Sequence, residues 1–271
     1  MFFNLLVGAV VASLYVAAIK LSVPVHVVHL ERSNPIVIRF RIRRIFVLCG
    51  ILLFAIPVLS VQLNGASTYG QALRNMGLFP GFTSSHDFVG DVMGIVIAWL
   101  KIASLYIGPI CAYFYIDAQG WRADFQANFC TLAGIRDHVF APITEEFVYR
   151  AALVAVLAPV LLENSLIFYS PLLFGLAHVH HGINLYCQEQ VPLISAIAAS
   201  TFQLVYTTAF GILANLFYVR SGYNLWCPIV VHATCNLLGF PSFEMKHTHP
   251  RFFYVYCVLL VFGIVAFWKL I

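Results

Sequence analysis

Charge is what this sequence has least of. Asp, Glu, Lys and Arg make up 10% of its 271 residues, against roughly a quarter in soluble domains, and mean hydropathy is +0.89. That deficit excludes an ordinary water-soluble domain, and no nucleic-acid partner is expected. The cysteines, at 49, 111, 130, 187, 227, 235 and 257, are odd in number and lack any CxxC spacing, which excludes a disulfide framework or a zinc ribbon. They read as small buried hydrophobes. There is no internal repeat, low-complexity tract or break in composition, so residues 1–271 read as one membrane-embedded domain.

Long apolar runs, by contrast, are abundant. A helix needs about 20 apolar residues to cross the hydrocarbon core, and eight candidates emerge: Phe2–Val23, Ile45–Leu63, Phe88–Tyr115, Asp137–Leu161, Leu166–His181, Leu193–Val219, Leu225–Phe240 and Phe252–Ile271. The expected fold is therefore all-α and polytopic, an eight-helix bundle with an intramembrane cavity. The first run opens MFFNLLVGAV without a basic leader and reads as a retained span. The connection LERSNPIVIRFRIRR carries Arg32, Arg39, Arg41, Arg43 and Arg44 against Glu31 alone. By the positive-inside rule it faces the cytoplasm. Alternation then places 116–136, 182–192 and 241–251 on that side and both termini on the other. The stretch 66–79 is too short to span, and it reads as a surface linker or as an interfacial segment with Tyr69, Leu73, Met76 and Leu78 on one face.

Against this background the polar groups inside the spans stand out. In APITEEFVYRAALVAVLAP, residues 141–159, Glu145, Glu146 and Arg150 would together cost about 8–10 kcal/mol at mid-bilayer if unpaired. Glu146 and Arg150 are four apart on one helical face and can neutralise each other, whereas Glu145 points elsewhere. Partners lie downstream: LLFGLAHVHHGIN holds Phe174, His178, His180, His181 and Asn184, and VVHATCN holds His232 and Asn236, again four apart. With the fourth span starting near Asp137, Glu145 lies about 12 Å deep by helical rise. His178 and Asn236 fall near the same end of their own spans, so the polar groups gather in the cytoplasmic half of the bundle.

A carboxylate and an imidazole around a water make a general-base device. Glu145 with His178 would activate the water, and His232 with Asn236 would donate to the oxyanion formed at a carbonyl. The four describe hydrolysis of an amide or ester within a membrane cavity. Three other readings stay open at this level. Zinc hydrolysis would use the same histidines, although HExxH is absent. A thiol mechanism would use Cys235, which points about 100° away from the Asn236 face. A transporter would bury acids and histidines too, although it would usually show repeats or broken half-helices.

The motifs EEFVYR at 145–150, FGLAH at 174–178 and HATCN at 232–236 resemble the EExxxR, FxxxH and HxxxN of the type II CAAX prenyl endopeptidases. Flanking APITEEFVYRAA, HVHH, FQLVYTTAFG and NLLGFP look like the eukaryotic members in particular. The resemblance covers about 137–241, the expected catalytic core. It implies a cofactor-free, metal-free glutamate protease of the endoplasmic reticulum membrane, with its active site facing the cytosol. Such an enzyme removes the last three residues of farnesylated or geranylgeranylated CAAX proteins, Ras-like small GTPases among them, while the prenyl chain stays in the lipid bilayer. Carried over, Glu145, His178, His232 and Asn236 would be catalytic, Glu146 and Arg150 supporting, and Phe174 part of the substrate groove.

Overall fold

A hydrocarbon solvent offers the backbone no hydrogen bonds, and helices satisfy their own within one segment. The computed structural model describes residues 1–187 and 189–271, and among them there are helices and no strand. Apart from the four-residue helices Val25–Val28 and Met245–Thr248, these are in chain order α1 (Phe2–Lys20), α2 (Pro35–Gln62), α3 (Tyr69–Asn75), α4 (Phe88–Leu105), α5 (Ile107–Asp117) and α6 (Trp121–Phe129). The continuous helical run α7 over 132–157 follows, then α8 (Glu163–Cys187), α9 (Leu193–Arg220), α10 (Trp226–Leu238) and α11 (Pro250–Leu270).

Six of these, α1, α2, α4, α8, α9 and α11, are long and apolar enough to cross a membrane. Of the eight expected spans, the third divides into α4 and α5 at Tyr106, where Pro109 has no N–H to offer the carbonyl four residues back. The fourth and seventh, α7 and α10, do not meet the measure of length and hydropathy. α10 has only 13 residues, and α7 is interrupted by π-helical turns at Arg136–Phe140 and Phe147–Ala152. Every residue from 146 to 154 is buried. A helix walled by protein does not have to present an apolar surface to lipid, which is why hydropathy describes it poorly.

Two further expectations are corrected. α2 starts ten residues before Ile45, because the Asn34 side chain accepts the Ile36 N–H at 2.9 Å and Pro35 supplies the first helical φ. Arg39, Arg41, Arg43 and Arg44 therefore stand on the first turns of a membrane helix and not in a loop. In the 66–79 stretch, Met76 and Leu78 do not share an outward face with Tyr69 but turn into the protein. Met76 is fully buried, Leu78 is nearly so, and the backbone carbonyl of Met76 accepts from the Tyr218 hydroxyl at 3.1 Å.

α7 is the axis on which the site is built. α1 and α2 pack on it, and polar bonds pin α1 at three heights: Asn4 Nδ2 to the Val156 carbonyl at 3.1 Å, the Tyr149 hydroxyl to the Ala12 carbonyl at 3.0 Å, and Tyr15 with Thr144 at 3.1 Å. α10 packs against the other flank of α7 and against α4. α8 lies along α9, where a Cβ on Gly175 would run into Thr208 Oγ1 and meet the Leu204 carbonyl at 3.0 Å. Only a glycine permits that approach. Asn215 of α9 completes the contact by donating to the Leu166 carbonyl at 2.7 Å.

Candidate active site

The neighbouring glutamates of α7 face different environments, as the helical turn requires. Glu146 points inward and is fully buried. Its Oε2 lies 3.0 Å from Arg150 Nε and its Oε1 lies 2.7 Å from His232 Nδ1. The Arg150 guanidinium also reaches the Gly211 carbonyl at 3.4 Å and sits over Phe174, 4.7 Å from the ring centroid, and Phe210, 5.9 Å away. The spacing-based pairing of Glu146 with Arg150 thus forms, and His232 joins it. A fully buried charge pair carries a large desolvation cost; here the Coulomb attraction, the His232 hydrogen bond and the cation–π contacts oppose it, while Arg150 Nη1 has no hydrogen-bond partner among the described residues.

Glu145 points the other way and is half-buried. It lines a cavity of about 100 Å³ with Tyr15, Tyr149, His178, His180, His181 and Asp137, among others. That volume is enough for several waters, since one needs roughly 10–15 Å³ by the same kind of measure. His178, at the end of an α8 segment, has its Nδ1 2.8 Å from the Phe174 carbonyl. A carbonyl only accepts, so the proton sits on Nδ1 and Nε2 presents a lone pair. Phe174, expected in a substrate groove, is 2% exposed. Its ring lies edge-on to His178 with centroids 4.6 Å apart and to Tyr149 at 4.8 Å. It is a wedge between the imidazole and the Arg150 guanidinium.

The four expected catalytic residues therefore fall into two adjoining sets. Glu145 and His178 share the cavity, and neither His232 nor Asn236 lines it. His232 lies behind α7 on Glu146, with its ring 4.7 Å from Phe210. Asn236 donates through Nδ2 to the Asp137 carbonyl at 2.9 Å, and Asp137 is part of the cavity wall, so Asn236 borders the chamber from outside. Tyr15 and Tyr149 were not anticipated. Tyr15 comes from an apolar stretch in which a tyrosine carries no special signal, and Tyr149 sits within EEFVYR at a position the EExxxR pattern leaves open. Among the described residues, no group of three His, Cys, Asp or Glu side chains converges as a metal site.

Residues 127–238 match the family described as type II CAAX prenyl endopeptidase Rce1-like. The chain is 31% identical over 238 residues to CAAX prenyl protease 2 of Saccharomyces cerevisiae, covering 81% of this chain and 75% of that protein. It is 36% identical over 117 residues to CAAX prenyl protease 2 of Homo sapiens, covering 43% and 35%. Against the probable CAAX prenyl protease 2 of Schizosaccharomyces pombe it is 28% identical over 172 residues, covering 62% and 63%. No solved structure matches. With all three motifs inside the matched region and most of the budding-yeast relative covered, the chain belongs to the type II CAAX prenyl endopeptidases and is a multi-pass intramembrane peptide hydrolase.

Proposed function

We propose that this endopeptidase cleaves after the prenylated cysteine with a water activated between Glu145 and His178. The observation that carries this reading is the shared cavity, into which a half-buried carboxylate and an imidazole with a free Nε2 both open. The water donates one hydrogen to the Glu145 carboxylate and the other to His178 Nε2, leaving a lone pair for the scissile carbonyl. Glu145 takes the proton as the oxygen attacks, then returns it to the leaving amine. His232 and Asn236 stand outside this chamber and serve it at one remove: His232 holds Glu146 through Nδ1, and Asn236 holds the Asp137 carbonyl in the cavity wall. Glu146 and Arg150 brace α7 from behind.

The substrates are prenylated CAAX tails, Ras-like small GTPases among them, presented by the cytosolic face of the endoplasmic reticulum. The basic start of α2, which the positive-inside rule places in the cytosol, lies at the same cavity, so the peptide enters from water while its prenyl chain stays in lipid. The test is release of the tripeptide from a farnesylated CAAX peptide by the protein in liposomes. Glu145→Ala should lower the rate by about a hundredfold or more, the usual worth of a general base, and chelators should leave it unchanged. Full activity in Glu145→Ala would remove Glu145 from this role, and loss in chelator restored by zinc would favour a metal mechanism.

A further inference from the structure

Two of the five arginines that orient the chain in the membrane, Arg32 and Arg41, also stand at the cavity. Arg32, Arg41 and Arg136 line it together with Glu145 and His178. Arg136 is neutralised in place, its Nε and Nη2 each 2.6 Å from an oxygen of Asp137. Among the described residues, neither Arg32 nor Arg41 has a carboxylate within 4.0 Å. Arg32 is exposed, and Arg41 is half-buried beside Ile42 and Ile45 on a helix that crosses the membrane. A half-buried guanidinium that faces a cavity with no counter-ion is costly to leave unpaired and marks a site for an anion.

The reaction supplies one. The substrate ends in a free carboxylate three residues beyond the scissile bond, a reach of about 10 Å in an extended chain. We propose that Arg41, with Arg32, binds the C-terminal carboxylate of the substrate and thereby sets the length of the fragment released. A guanidinium fork matches a carboxylate through two parallel hydrogen bonds. Anchoring the chain end there brings the third peptide bond from the terminus to the water held by Glu145 and His178. A longer tail would carry its carboxylate past the clamp. The inference rests on the hydrolysis assigned to Glu145 and His178.

Two farnesylated peptides that differ only in ending as a free acid or a carboxamide separate the two ideas, assayed in vesicles of neutral lipid and again with anionic lipid added. Wild type should cleave the amide with kcat/KM about tenfold lower, the worth of one charge-assisted bond. In Arg41→Ala and Arg32→Ala the free-acid value should fall to that of the amide, with the amide value unchanged, and Arg41→Lys should keep part of the preference. Arg39→Ala and Arg43→Ala, exposed on the same helix and outside the cavity lining, should behave as wild type. Equal cleavage of acid and amide by wild type, with Glu145→Ala inactive, would overturn the clamp and leave the hydrolysis standing. Equal losses on both peptides in the arginine variants, or losses that depend on anionic lipid, would assign these arginines to lipid headgroups and overturn it as well. Cleavage of neither peptide by wild type would remove both ideas together.

Discussion

At the scale of residues, the buried Glu146 is shared between a guanidinium and an imidazole, and that sharing sets the stability of the site. Removing one partner of a buried charge pair leaves the other uncompensated, at a cost of about 3–5 kcal/mol. Arg150→Ala should therefore lower the thermal unfolding midpoint in detergent sharply, whereas Glu145→Ala, at a half-buried position with no ion-pair partner, should leave it close to wild type. The double change Glu146→Gln with Arg150→Met, which removes both charges, should recover much of the loss in the melting curve without restoring cleavage. A midpoint that does not move in Arg150→Ala would mean that the ion pair contributes nothing to folding. The i,i+4 spacing made the Glu146–Arg150 contact legible beforehand. The third member was not, because His232 lies 86 residues further on and meets Glu146 only through the packing of α10 on α7.

At the scale of elements, His178 reaches the cavity because α8 lies close against α9, and the distance is set by Gly175. Gly175→Ala would drive a methyl into Thr208 Oγ1 and the Leu204 backbone. Overpacking of this kind costs about 1–3 kcal/mol. It should also displace the adjacent Phe174 wedge and so reduce cleavage more than it reduces thermal stability. Adding Thr208→Ala removes the nearer clash along with a buried hydroxyl that has no hydrogen-bond partner, and should restore part of the activity. No recovery in the double variant would put the constraint on the Leu204 backbone alone. Helix existence was legible from apolar runs. The shortness of the seventh run, 225–240, and the charges within the fourth were legible as well; the π-turns of α7 were not, since they leave no mark on a hydropathy scale.

At the scale of the whole molecule, the orientation expected from the arginines predicts which surfaces meet the cytosol. Ser33→Cys, just before α2, should react with a membrane-impermeant thiol reagent in sealed microsomes, and Ser67→Cys, just after it, should react only once the membrane is opened. Both belong in a background without the exposed Cys111, Cys130 and Cys187. The reverse pattern would place the Glu145 cavity on the lumenal side. Two of the same arginines, Arg32 and Arg41, line the cavity, which the sequence did not indicate: a basic cluster reads as a topology signal until the fold shows which members face a cavity.

The amino-acid sequence by itself determined that this chain lives in a membrane, that it is helical, and which acids, histidines and asparagine break the apolar pattern. Those are local properties, written in composition, period and spacing. Only the tertiary structure decided that Glu145 and His178 share one chamber while His232 backs onto Glu146 and Asn236 onto Asp137. That partition follows from how α7, α8 and α10 cross, and crossing is governed by side-chain packing between segments far apart in the chain.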